Sequence, residues 1–296
     1  MPNPESSATS GRPPTVAIVT DSTACIPPDL AAQYGIEIVP VHLIFGGRTF
    51  VDSLTTDTSE FYELVAKSSE RATTAAPSPG MFLEAIARAA RRADAVLCVT
   101  VSAQFSAMYD AARQAIELAK AEAPQADIRL LDSRNAAMAQ GFIVLEAARA
   151  AAAGATIDEV AAIAESMAER VTLLAMLDTL SYLARSGRVP RAAAWAAGVL
   201  QLRPIVRFSV AGIKLVARTR TRRRALERMV DIVSNQTAGH PAHLAVHHAN
   251  APADAEQLLA AVRRRLDIVE AYSTEFTQVM GVHTGPGLVA LAWWCD

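Results

Sequence analysis

The chain has 296 residues, enough for two domains of ordinary size, and with 51% hydrophobic and 20% charged residues both can bury a core. A net charge of −2 gives no global field that would favour nucleic acid or a membrane surface. No apolar run approaches the about 18 residues of a spanning helix, and Cys25, Cys98 and Cys295 have neither disulfide nor metal spacing, which points to reduced thiols in the cytoplasm.

Met1–Pro14 has no apolar core and reads as a disordered tail rather than a signal peptide. Thr15–Thr20 reads as a first strand with Asp21, Ser22 and Thr23 at its carboxyl end. A short helix over 28–34, a strand over 36–41 and a hairpin over 43–51 turning on Gly46-Gly47 follow. A helix over 59–67 leads to a polar loop, 71–78. Ser78 as cap and Pro79 at the first helical position open the next helix.

Ala95–Val101 is an apolar run too brief for a helix and reads as a buried central strand. Ser102-Ala-Gln-Phe-Ser106 breaks it, and 107–119 returns to helical spacing, so Ser106 falls at a helix N-terminus just past a strand end. Free N–H groups and the helix dipole favour an anion there. No phosphate-binding glycine pattern and no lysine accompanies it, so a single carboxylate suits the loop better than a polyphosphate. Plain capping by Ser106 is the bland alternative. A strand over 128–131, Asp132-Ser133 and an alanine-rich helix to about 152 continue the alternation, which implies a mostly parallel sheet covered by helices. The hydroxyls and carboxylates at the strand ends are expected to converge on one rim.

Thr156 with Glu159 forms a capping box. The second half reads as an α+β domain with a mixed or antiparallel sheet. Its elements are a strand over 171–176, helices over 177–185 and 190–201, a hairpin over 204–209 and 213–217, a helix over 222–235, a strand over 244–248, a helix over 253–265, and strands near 268–272 and 288–294.

Seven segments, taken in order, resemble the DegV family of fatty-acid-binding proteins over nearly the whole chain. They are Thr20-Asp-Ser-Thr23, Thr74-Ala-Ala-Pro-Ser-Pro79, Ser102-Ala-Gln-Phe-Ser106, Asp132-Ser133, Ser186-Gly-Arg188, Leu202-Arg-Pro-Ile205 and Val282-His-Thr-Gly-Pro-Gly287. The resemblance implies a long-chain acyl group in a tunnel between the two domains, with its carboxylate held by Thr74 and Ser106 and with His283 near the head group. Ala107, Ser102 and Arg188 are further expected contacts. It also implies a lipid-binding protein rather than an enzyme: one that presents the fatty acid to a separate ATP-dependent fatty acid kinase for acyl-phosphate formation. No cofactor, metal or nucleic acid is expected, and membrane contact, if any, is transient. Residues 15–165 are expected to carry the carboxylate loops and 166–296 to cover the tail. The sequence departs from the family pattern at Ala75, Ala107, Met108, Ala137 and Ala139, which puts acyl preference in question.

Elementary energetics agree with that division of labour. About fifteen buried methylenes at about 0.8 kcal/mol each give on the order of 10 kcal/mol gross, whereas one hydrogen bond to a charged group gives about 1.5–3 kcal/mol. The tail supplies affinity and the hydroxyls fix orientation. His283, in a turn motif, has a structural role as its alternative, and Arg188 a surface salt bridge. His243, His247 and His248 lack a carboxylate or cysteine to complete a metal set. Arg220, Arg223 and Arg224, in a basic run from 218 to 228, read either as a solvated helix face or as a docking patch for an acidic partner. The competing functional reading is a serine hydrolase or acyltransferase using Ser106 and His283. However, Gln104-Phe-Ser-Ala-Met108 is not a Gly-x-Ser-x-Gly elbow.

Overall fold

The computed structural model describes residues 15–54, 58, 61–63, 70, 72–122, 127–196 and 202–296. The expected tail (1–14), most of the expected helix over 59–67 and the end of that over 190–201 lie outside the described residues.

Strand β1 (Val16–Asp21) is buried throughout, pairs in parallel with β2 (Glu37–Val39) on one side and β6 (Ala95–Thr100) on the other, and β6 pairs in parallel with β7 (Asp127–Asp132). The order β2-β1-β6-β7 reverses direction between β1 and β6. Loops leaving the carboxyl ends of those two strands therefore diverge and leave a crevice, the usual ligand position in an open parallel sheet. Helices α1 (Pro28–Gln33), α2 (Pro79–Ala90) and α3 (Met108–Glu122) connect these strands. As expected, Ser78 accepts a hydrogen bond from the Met81 N–H and Pro79 opens α2.

The expected strand over 36–41 is shortened to Glu37–Val39, and the hairpin expected over 43–51 forms. Pro40, which has no N–H to donate to a ladder, separates β2 from β3 (His42–Phe45), and β3 turns back through Gly46 and Gly47 into β4 (Arg48–Val51). The segment expected as polar loop contains β5 (Thr73–Ala75), which pairs antiparallel with β3 and places Thr74 opposite Leu43. Three residues are too few to show an alternation, so only the pairing with β3 identifies them as a strand.

Helix α4 (Ala137–Ala152) is buried on nearly every side. It packs between β1 and the turn Ser22–Ala24 on one side and the second sheet on the other, which accounts for its all-round apolar composition. A Cβ on Gly141 would stand 2.8 Å from the Ala24 carbonyl oxygen, so glycine permits that approach. Helix α5 (Ile157–Arg170) follows with its capping box formed: Thr156 N–H donates to Glu159 at 2.8 Å and Glu159 N–H to Thr156 Oγ1 at 3.4 Å. It runs through residues 165 and 166 and packs on α4 and the first sheet.

The second sheet is mixed, as expected. Its strands are β8 (Thr172–Met176), β9 (Arg203–Ser209), β10 (Gly212–Thr219), β11 (Ala242–His248), β12 (Ile268–Glu275) and β13 (Val289–Cys295), in the order β10-β9-β8-β13-β11-β12 with β11 and β12 parallel. Helices α8 (Arg222–Thr237) and α9 (Pro252–Arg263) cover its outer face. Between β8 and β9 lie α6 (Ser181–Ser186) and α7 (Ala192–Ala196), and α10 (Gln278–Thr284) precedes β13. Helix α6 starts four residues later than expected because Thr179 Oγ1 takes the Ser181 N–H at 3.1 Å while Asp178 pairs with Arg203 and Arg222. Among the described residues no helix is long and apolar enough to cross a membrane.

Candidate functional site

A cavity of about 670 Å³ opens between the two sheets, within the usual range of about 300–1,000 Å³ for ligand sites. Leu173, Ala175, Phe208, Phe276, Val279 and Leu288 give it apolar walls, and Thr74, Ser106, Arg188 and His283 are among its polar lining. Phe105 and Phe208 meet edge to face across it with ring centroids 6.3 Å apart, joining the loop after β6 to the second sheet.

The loop after β6 is held by the buried Asp21 and Ser102 and by the half-buried Asp132. Val101 N–H donates to Asp21 Oδ2 at 2.8 Å, Ala103 N–H to Asp132 Oδ1 at 3.2 Å and Gln104 N–H to Ser102 Oγ at 3.3 Å. Ser133 is bonded to Asn135. The expected convergence of all these groups on the rim is therefore corrected: of Asp21, Ser22, Thr23, Ser102, Ser106, Asp132 and Ser133, the cavity is lined by Thr23 and Ser106. The others accept backbone N–H groups of the neighbouring loops instead. Ser102 in particular is buried and does not line the cavity.

Ser106 sits two residues ahead of α3, and its hydroxyl has no hydrogen-bond partner among the described residues, so capping does not account for it. It lines the cavity beside the exposed Ala107. Thr74, placed by β5, brings Oγ1 to 2.9 Å from His283 Nε2. Burial, and secondly the Arg188 charge, push His283 down to about 4, so the imidazole is neutral at neutral pH. Arg188 has no carboxylate partner among the described residues. Its guanidinium donates to the Ser186 carbonyl at 2.7 Å, which leaves its charge at the cavity edge.

The His-Thr-Gly-Pro-Gly run is explained by close approach. Gly285, at φ +82°, lies against the Tyr182 ring of α6, and a Cβ on Gly287, at φ +85°, would be 2.5 Å from Asp178 Oδ2. Arg222, inside the basic run, is committed to Asp178, to Asp254 and to the Gly287 carbonyl. Arg220, Arg223 and Arg224 stay exposed, with Arg223 4.0 Å from Glu227.

Over residues 15–295 the sequence matches the DegV family model, described as a family of uncharacterised proteins. The chain belongs to the DegV family. A DegV domain-containing protein of Mycobacterium tuberculosis is 36% identical over 280 residues, 94% of this chain and 96% of the relative. The DegV protein of Bacillus subtilis is 30% identical over 280 residues, 94% and 98% of the two chains. Among solved structures, a DegV family protein from Thermus thermophilus described for its fatty acid binding superposes with a TM-score of 0.86 at 26% identity, over 95% of this chain and 100% of the other. DegV of Bacillus subtilis, described as a fatty acid binding protein, does so with 0.82 at 29% identity, over 95% and 99%.

Of the five departures from the DegV pattern, Ala107 and Met108 line the cavity, while Ala75, Ala137 and Ala139 do not. The nucleophile and base of the hydrolase reading are not assembled as a pair: His283 bonds Thr74, and Ser106 bonds neither. The three histidines of β11 have separate structural duties. His247 takes the Met138 N–H at 3.2 Å at the start of α4 and lies 2.6 Å from Thr274 Oγ1. His243 lies 2.7 Å from Glu270 and stacks on Trp294 at 3.8 Å. His248 Nδ1 takes the Ala251 N–H at 3.4 Å. No group of three or more metal-ligating side chains occurs among the described residues. Asp52, a buried carboxylate after the hairpin with no motif to mark it in the sequence, accepts from Ser22 Oγ at 2.7 Å and from the Val279 N–H at 3.1 Å.

Proposed function

We propose that this protein binds a long-chain fatty acid in the cavity and presents its carboxylate, at a mouth formed by Thr74, Ser106 and His283, to a separate ATP-dependent fatty acid kinase in the cytoplasm. The observation that carries the reading is one cavity with apolar walls that is also lined by Thr74, Ser106 and His283, with Thr74 bonded to His283. The fatty acid binding described for the Thermus thermophilus and Bacillus subtilis DegV proteins supports the ligand class. The tail supplies most of the affinity by burial, while Ser106 and Thr74 donate to the carboxylate and Arg188 adds a cation at its edge. Gln104, Ala107 and Arg188 line the cavity and are exposed, which leaves the head group within reach of a second protein, as transfer from ATP by another enzyme requires. On this reading residues 15–165 carry the carboxylate loops, residues 166–296 cover the tail, and Arg220, Arg223 and Arg224 dock the kinase. No cofactor is needed, since the chemistry is the kinase's.

Organic extraction of the purified protein followed by mass spectrometry is expected to yield long-chain fatty acid. Titration with the acid is expected to show Ser106→Ala weakened without losing binding. An empty extract together with no measurable titration of the parent protein would overturn the reading, as would serine-dependent turnover of acyl esters.

A further inference from the structure

The two sides of the head-group site hang from one point at the end of β1. Asp21 and Ser22 are consecutive, and each side chain holds one side. Asp21 Oδ2 accepts the Val101 N–H at 2.8 Å, which fixes the start of the loop that ends in Ser106. Ser22 Oγ accepts the Val41 N–H at 3.1 Å and donates to Asp52 Oδ2 at 2.7 Å. The other oxygen of Asp52, Oδ1, accepts the Val279 N–H at 3.1 Å in the first turn of α10, the helix that carries His283. Asp52 itself is fixed by its backbone, since its N–H donates to the Val41 carbonyl at 2.9 Å.

We infer that Asp52 is a positioning residue for carboxylate recognition: through Val279 it sets where His283 stands relative to Ser106, without touching the ligand. The inference rests on the head-group reading proposed above. Asp52 is 3% exposed, and a carboxylate taken out of water needs a return for its desolvation. Two hydrogen bonds at its two oxygens offset that cost, and both lead to elements that line the cavity. A displacement of α10 by a fraction of an ångström is enough to lengthen a bond from His283 to a carboxylate held from both sides. A side chain that served stability alone would affect every ligand of the cavity alike. One that sets the spacing of the polar groups affects only ligands with a charged head.

Titration of the full-length protein with hexadecanoic acid and with 1-hexadecanol separates these roles, because the two share a tail and differ in the head. Parent protein is expected to prefer the acid. Asp52→Ala is expected to reduce the ratio of acid to alcohol affinity about tenfold while the alcohol is bound within about twofold of the parent. Asp52→Asn, which retains an oxygen for Val279 N–H, is expected to recover part of the ratio. Should Asp52→Ala not fold, Ser22→Ala and Asp52→Asn carry the same comparison. An unchanged ratio, or equal weakening for acid and alcohol, overturns the positioning role. A parent protein that does not distinguish the two ligands overturns the head-group reading itself, and the inference falls with it.

Discussion

Thr74 Oγ1 lies 2.9 Å from His283 Nε2, a bond that joins an edge strand to a helix 209 positions further along the chain. It holds the threonine hydroxyl at the cavity wall. Thr74→Val keeps the shape and removes the hydroxyl. A bond to a charged group is worth about 1.5–3 kcal/mol, so fatty acid affinity is expected to fall by about tenfold or more, with the melting temperature close to that of the parent. Unchanged affinity in the titration would remove Thr74 from the site.

The histidine in that bond has a pH signature. Burial and the Arg188 charge lower His283 from 6.5 to about 4, and burial lowers His247 to about 3. Between 6.5 and these values the unfolded chain takes up protons that the folded chain refuses. Stability is therefore fully present above pH 6.5 and lost as pH falls through the window. Asp21 and Asp52, raised by burial, act in the opposite sense, so the comparison is between variant and parent. The melting temperature of His283→Gln, followed from pH 7 to pH 4, is expected to fall less steeply than the parent's.

Gly285→Ala is expected to damage the site severely. It puts a methyl into the Tyr182 ring and a side chain at φ +82°, and both penalties fall on the turn after His283. Loss of fatty acid binding together with a lower melting temperature is the expected outcome. Tyr62→Phe is expected to act the other way, because the buried Tyr62 hydroxyl has no partner among the described residues. Its removal should raise stability by about 1 kcal/mol in a denaturant titration.

Combined replacement of Arg220, Arg223 and Arg224 by alanine is expected to reduce recovery of the partner kinase in a pull-down and to leave fatty acid affinity unchanged, because all three side chains are exposed and none lines the cavity. Arg222 differs from these three. It bonds Asp178, Asp254 and the Gly287 carbonyl, so its loss would disturb the fold. Equal recovery of the kinase would reduce the basic run to a solvated face.

The parallel sheet, the central helix α4, the Thr156–Glu159 box and the Ser78-Pro79 start were legible because each rests on neighbours within a few residues: apolar period, cap geometry, proline at the first turn. The site was half legible. Thr74, Ser106, Arg188 and His283 meet around one cavity, whereas Ser102, next to them in motif, turns inward to a backbone N–H. Nothing local separates Ser102 from Ser106, since both are small hydroxyls past the same strand.

By itself the sequence determined most of the strands and helices and that small hydroxyls end the parallel strands, because hydrophobic periodicity and capping are properties of adjacent residues. Only the tertiary structure decided which hydroxyls stay free for a ligand, that β5 exists, and that Asp52 ties Ser22 to Val279. Each of these depends on which buried N–H groups lack a backbone acceptor, and that is fixed only when distant segments pack and exclude water.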